Sequence, residues 1–256
     1  MRTRLDIAYL GTAFEGWQVQ IREGSGPVRT VQGEIEGALE LVYGRPVRIH
    51  GAGRTDAGVH ASGQVAHFDL AEEAPAIPPA GLRAALNGKL PAAIRITAAS
   101  EVPQSFHARR SAVSKTYLYR YRRGAFLPPH EGLVESLVRE GLDVPAMSRA
   151  AASLVGRRDF GPFSVLGSDV ETTVRTLFRL DVEEFGPRLL ITAVGDGFLR
   201  GMVRRLAGTL RDVGRGRTSP ESVLSSPGPS AEAKGLTLAT VAYPEPFPPG
   251  GAGAAG

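Results

Sequence analysis

Residues 51–68 read GAGRTDAGVHASGQVAHF, and the plan of the chain follows from how this stretch is interpreted. Gly51, Gly53, Gly58 and Gly63 surround one acid, Asp56, which stands between Thr55 and Ala57 with Arg54 two residues before it. Glycine admits backbone conformations closed to other residues and lets the main chain come close to a ligand, so the segment reads as a loop. Val47 and Ile49 alternate with Arg48 and His50 ahead of it, and Gln64 to Phe68 follow it, which predicts a strand on each side. A carboxylate beside a guanidinium, on a loop anchored at both ends by strands, suits reactive chemistry. Aspartate in a Gly-rich turn also has an ordinary use, bonding the backbone nearby.

Two rival chemistries can be tested on the same residues. A phosphate cradle needs a Gly-rich loop that runs into a helix with Lys followed by Ser or Thr, whereas this loop has no lysine and runs into a strand. A metal site would recruit Asp56, His60 and His67, but the spacing places the two histidines at different depths of loop and strand. No metal ligand set is therefore assigned. The chain has no cysteine, which removes disulfides, thiolate metal sites and a Cys nucleophile from any account.

At 256 residues with 42% hydrophobic content, the chain can build one large or two small domains with a sizeable core. No apolar run approaches the roughly 18 to 20 residues that span a membrane, and MRTRLDIAYL is too short and too charged for a signal peptide. A cytoplasmic setting without membrane contact is the expectation. Lys and Arg total 30 against 26 Asp and Glu, a net charge of +4. Only Lys89, Lys115 and Lys234 are lysines, which leaves 27 arginines. Arginine forks suit phosphates and base faces, although a source rich in Arg codons gives the same bias.

The rest of the chain alternates short strands and helices. Arg4–Leu10 reads as a strand, and Val31, Ile35, Leu39 and Val42 mark a helix after a Thr30 N-cap, stopped by Gly44 and Pro46. Pro78–Leu90 reads as a helix and Ile94–Ala98 as a strand. A second half starts near Phe106 with the order strand, helix, strands, helix, strand. In it, Ser114–Arg122 is a strand with Tyr117, Tyr119 and Tyr121 on one face. Met147–Val155 reads as a helix, and Thr173–Phe185 with Leu189–Val194 as a hairpin about Gly186 and Pro187. A helix from Leu199 gathers Leu199, Val203, Leu206 and Leu210 on one side and Arg200, Arg204 and Arg211 on its flank. Pro220–Ser225 is a short helix, 226–233 a loop and Leu236–Tyr243 a last strand. The domain boundaries expected are 1–104, 105–244 and a disordered tail, 245–256. The pattern favours an α+β class over a doubly wound sheet.

GRTDAGVHA followed by GQVAHF resembles the TruA family of tRNA pseudouridine synthases. Family-like segments recur in order at Phe14–Gln20 (FEGWQVQ), Thr30–Gly33 (TVQG), Phe106–Arg109 (FHAR), Lys115–Tyr119 (KTYLY), Phe198–Arg204 (FLRGMVR) and Gly235–Pro244 (GLTLATVAYP). Gly201 stands where a bulkier, often polar residue is common in the family. The resemblance implies two ferredoxin-like halves whose antiparallel sheets join across a central catalytic cleft, a homodimer, tRNA as partner and no cofactor. It implies Asp56 as the essential acid, acting as nucleophile or as base, and Arg54 in base flipping. It also implies that Tyr117 stacks on the uracil, that Arg204 lies beside the acid and that Leu238 lines the pocket. Arg200 and Arg211 are the expected RNA contacts. A non-catalytic RNA-binding protein, with the three tyrosines as a stacking face, is the main alternative, ahead of a metal-dependent hydrolase.

Overall fold

A computed structural model describes residues 1–22, 26–71, 75–165, 171–245 and 247. In chain order the first elements are β1 (Arg2–Tyr9), β2 (Ile21–Arg22), β3 (Gly26–Pro27), α1 (Val31–Tyr43), β4 (His50–Gly51), β5 (His60–Asp69), α2 (Pro79–Lys89) and β6 (Ile94–Val102). There follow β7 (Ser114–Arg123), β8 (Ser136–Val138), α3 (Val144–Leu154), β9 (Gly156–Asp159), β10 (Val174–Phe185), β11 (Arg188–Gly195), α4 (Met202–Gly214) and β12 (Leu236–Ala242). The chain is mixed α+β and divides into two compact units, Met1–Val113 with Leu238–Gly256, and Ser114–Thr237.

In the first unit β1 lies between β5 and β6, antiparallel to both, with Leu5 opposite Ala66 on one side and Ala99 on the other. β12 follows on the far side of β5. Leu5, Ile7, Ala66, Phe68, Ile94 and Ile96 give the sheet a buried face, against which α1 places Ile35 and Leu39 and α2 places Leu82 and Leu86. The α1 helix keeps its expected start because Thr30 Oγ1 accepts the Gly33 N–H, satisfying one of the donors a helix leaves bare. It stops at Gly44, whose φ of 67° is left-handed. Arg4 is buried beside Asp6, 2.6 Å away, with the Tyr243 ring centroid 4.9 Å from its guanidinium carbon.

In the second unit β7 pairs with β11, β11 with β10 and β10 with β9, all antiparallel, while β8 joins β7 in parallel. Tyr117, Tyr119 and Tyr121 stand opposite Ala193, Ile191 and Leu189, so the expected apolar face exists and is buried. Met147, Ala150, Ala151 and Leu154 of α3 and Val203, Leu206, Ala207 and Leu210 of α4 supply the rest of the core. Asp143 caps α3 through the Ala146 N–H.

Several boundaries move for identifiable reasons. Val47 and Ile49 are buried and Arg48 and His50 exposed, as the alternation predicts, yet strand pairing begins only at His50; Ile49 instead gives its N–H to Glu36 Oε1 and its carbonyl accepts from Gln32 Nε2. On the far side of the loop β5 begins at His60, so the loop is shorter than expected and His60 and His67 share one strand. Phe106 lies in a turn, and the next strand starts at Ser114. The last long helix begins at Met202, because Gly201 adopts φ 71° and ends the preceding turn; Leu199 and Arg200 stand ahead of it. Pro220–Ser222 is a single 3-10 turn. Apart from Glu245 and Phe247, the expected tail lies outside the described residues.

Gly63 allows β5 to lie close to β12, since a Cβ there would come within 2.2 Å of the Ala239 carbonyl oxygen. Gly63→Ala is therefore expected to cost about 2 kcal/mol or more in urea denaturation. Gly37→Ala, in helix α1 with nothing within 4 Å of the added carbon, is expected to stabilise by about 0.5–1 kcal/mol.

Candidate active site

Asp56 sits on the loop between β4 and β5, half-buried, and the backbone around it is held at successive points. The Thr55 carbonyl accepts the Trp17 N–H at 3.1 Å, and the Asp56 carbonyl accepts the Val59 N–H at 3.1 Å. Gln64, fully buried on β5, donates from Nε2 to the Gly53 carbonyl at 2.9 Å. Thr55 Oγ1 is 2.8 Å from the Tyr9 hydroxyl at the end of β1. The chain at Phe14–Trp17 can lie this close only because Gly16 has φ 95° and no side chain; a Cβ there would meet the Thr55 carbonyl oxygen at 2.7 Å. Trp17 in turn packs against Gly51, where a Cβ would fall 2.7 Å from the indole.

Arg54 is exposed on the same loop, whereas Leu238, on β12, is fully buried. In the second unit Tyr117 is buried, with its ring edge-on to Phe198 at 5.0 Å between centroids. Tyr119 bonds Ser136 Oγ at 2.8 Å and the Glu232 carbonyl at 2.9 Å, and burial pushes its pKa up to about 12. Tyr121 is also buried, and burial raises its pKa well above the ordinary phenol value. A Cβ on Gly235 would meet the Tyr119 ring at 2.6 Å. Tyr119 and Tyr121 are held inside their own unit, so the three tyrosines do not form one shared base-stacking platform, and the alternative built on all three loses its basis.

The three arginines expected on one helix flank have different settings. Arg200 is exposed in the turn before α4. Arg204 is half-buried, donating from Nε to the Ala231 carbonyl at 2.8 Å. Arg211 is half-buried with Nε 3.7 Å from Asp212 Oδ1. A cavity of about 400 Å³ opens against α1, lined by residues including Arg29, Gly33, Gly37 and Lys89; none of the candidate residues borders it.

A family model described as tRNA pseudouridine synthase matches residues 7–109 and 150–244. The chain is 43% identical to tRNA pseudouridine synthase A of Brevibacillus brevis over 250 residues, covering 94% of this chain and 99% of that protein. It is 42% identical to the protein of the same name from Syntrophotalea carbinolica over 248 residues, 94% and 95% of the two chains. The chain belongs to the tRNA pseudouridine synthase family. It is accordingly a pseudouridine synthase, an isomerase. The family match includes Arg54, Asp56, Arg200, Arg204, Arg211 and Leu238, while Tyr117 falls in the stretch between its two parts.

The residues that reading from sequence passed over are Tyr9, Thr55 and Gln64. Two of them carry a signal: period-2 alternation turns Tyr9 with Leu5 and Ile7 toward the core, and Gln64 is a polar residue set directly before Val65 and Ala66 in the exit strand.

In this synthase the histidines of β5 have structural partners. His60 Nδ1 accepts the Gly11 N–H at 3.0 Å and His67 Nδ1 accepts the Ala108 N–H at 3.2 Å. Among the described residues no three His, Asp or Glu side chains gather as a metal-binding group, so the hydrolase built on Asp56, His60 and His67 has no assembled ligand set. His67 stacks on His50 at 5.2 Å and lies 4.7 Å from His107. Burial, then the charges of His107, Arg2 and His50, lowers its pKa from 6.5 to about 4, with Asp69 opposing. The folded pKa lies below the unfolded one, so unfolded chains bind more protons between those values. The stability from neutral His67 is present above about pH 6.5 and is lost as pH falls through about 4. Unfolding free energy is expected to fall by about 2–3 kcal/mol over that window. In His67→Gln that slope should be visibly shallower, measured by denaturant titration at each pH.

Proposed function

We propose that this chain isomerises uridine to pseudouridine on the 3′ side of the anticodon stem and loop of tRNA, with Asp56 as the essential carboxylate. The observation that carries the proposal is a half-exposed acid on a loop whose backbone is held at Gly53, Thr55 and Asp56. Such fixation suits a group that must meet a reacting atom in one geometry. The reaction breaks the bond from ribose C1′ to N1 of uracil, turns the base, and joins C1′ to C5. The C5 proton leaves and N1 gains one, so atoms balance without a redox or group-transfer cofactor. Asp56 serves either as nucleophile at C1′ or as base toward a ribose proton; both roles need the ionised form.

A base within folded RNA has to be flipped out to reach such an acid, and phosphate and stacking contacts offset the unstacking cost. Arg54, exposed beside the acid, is proposed to assist flipping. Tyr117 is assigned to the uracil ring, Arg204 to favouring the ionised acid, and Leu238 to the pocket wall, all from the family resemblance. Arg200 and Arg211 are proposed as phosphate contacts. The same resemblance brings two ferredoxin-like halves with a catalytic cleft and a homodimer; the division near residue 104 and the cytoplasmic setting are proposed from the sequence pattern itself. The second unit's longer elements, β7, α3, β10, β11 and α4, follow a strand, helix, two strands, helix order once the short β8 and β9 are set aside, which supports the ferredoxin-like part.

Asparagine keeps the shape of Asp56 but neither attacks as a carboxylate nor takes a proton as a base. Folded Asp56→Asn protein is expected to bind tRNA within about tenfold of wild type, roughly 1.4 kcal/mol, and to make no pseudouridine detectable by adduct mapping. Clear residual turnover would remove Asp56 from its role. The tRNA affinity is expected to fall steeply with salt, and Arg200→Ala should lower the slope by about one unit. An unchanged slope would place the RNA elsewhere.

A further inference from the structure

The acid is only as well placed as the residue before it, and Thr55 is held by a buried polar chain that the reaction itself does not require. Gln64 Nε2 has two protons: one goes to the Gly53 carbonyl at 2.9 Å, and the other faces the Tyr9 hydroxyl at 3.5 Å. Its Oε1 accepts the Val65 N–H at 3.2 Å, which fixes the orientation of the amide. The Tyr9 hydroxyl shares a hydrogen bond with Thr55 Oγ1, 2.8 Å away, in which either oxygen can donate. The three side chains thus form one connected buried chain, from Gln64 through Tyr9 to Thr55. The Thr55 carbonyl is taken by the Trp17 N–H, so both oxygens of the residue preceding Asp56 are committed.

We infer that Gln64, Tyr9 and Thr55 act together as positioning residues for Asp56, setting the direction in which its carboxylate leaves the loop. The inference rests on the reading of Asp56 as the essential acid. Gln64 is wholly buried, and Tyr9 and Thr55 are nearly so, which keeps water from replacing any bond in the chain. Tyr9 also keeps its phenolic proton across the working range, since burial pushes its pKa up to about 12. Its ring lies 6.1 Å from that of Trp17, so Tyr9→Phe can keep the packing while removing only the hydroxyl.

The test separates the hydroxyl from the packing. Thr55→Val keeps the volume and loses the hydroxyl; Thr55→Ser keeps the hydroxyl and loses a methyl. Single-turnover pseudouridine formation on tRNA, normalised to folded protein, is expected to fall at least about tenfold in Thr55→Val and in Tyr9→Phe. The tRNA Kd should stay within about threefold, and Thr55→Ser should keep turnover within about threefold of wild type. A merely structural role would order the variants by thermal stability, without sparing Ser over Val in the rate. Wild-type rates in Thr55→Val and Tyr9→Phe, with Asp56→Asn silent, would overturn the positioning role and leave the acid's role standing. Turnover by Asp56→Asn would overturn the role of the acid and the positioning with it.

Discussion

Thr55 is the residue on which the candidate site depends, because it joins the core of the first unit to the loop that carries the acid. A buried hydroxyl costs free energy unless it is bonded, and here the bond to Tyr9 ties the loop to β1, a strand paired on both sides. Its carbonyl ties the same residue to the segment before α1 through Trp17. Loops carry function when a rigid scaffold positions them, and both tethers lead to rigid elements. The glycines serve this end by absence of a side chain. Gly16 and Gly51 let Thr55 and Trp17 approach, and Gly11 does the same for the Val59 carbonyl, which a Cβ would meet at 2.0 Å.

The second unit shows how burial decides between readings that the sequence leaves level. Three tyrosines in alternation on one strand fit both a base-binding face and a core face, because period-2 spacing states only that they share a side. What fills that side comes from residues distant in the chain. Tyr119 is bonded to Ser136 and to the Glu232 carbonyl, and Tyr121 packs beside it at 4.7 Å. Exposing such groups to an RNA base would break bonds already made in a dry setting, a cost that stacking at about 1–3 kcal/mol per base does not clearly exceed.

Elements with local causes were legible in the sequence: α1 from its Thr30 cap and Gly44 stop, the β10–β11 hairpin from Gly186 and Pro187, and β7 from its alternation. Features that depend on a partner strand or a remote contact were not. Val47 to Ile49 alternates correctly and still lacks pairing, and the short β8 and β9 have no pattern long enough to read. Asp56 and Arg54 stood out because unusual chemistry sits among glycines. Tyr9 and Gln64 did not, because a tyrosine at the end of one strand and a glutamine within another are ordinary until their hydroxyl and amide meet.

The basic character of the chain illustrates the same limit. A large arginine count suggests a nucleic-acid footprint, yet many of these guanidinium groups are spent inside the fold. Arg2 grips Asp69 with two of its nitrogens and reaches the Phe106 carbonyl with the third, and Arg4 is enclosed with Asp6. Arg122 and Arg188 close on Glu131 and Glu135, the latter buried, and Arg205 caps the Pro162 and Ser164 carbonyls. Charges neutralised in this way release few counterions on binding and contribute little to a salt slope. The surface that remains available to phosphate is set by exposed arginines such as Arg54, Arg109, Arg110 and Arg200. Of these, Arg54 precedes the candidate acid Asp56 by two residues. Free positive charge near the candidate site, and not the total of 27, is therefore the quantity that bears on RNA.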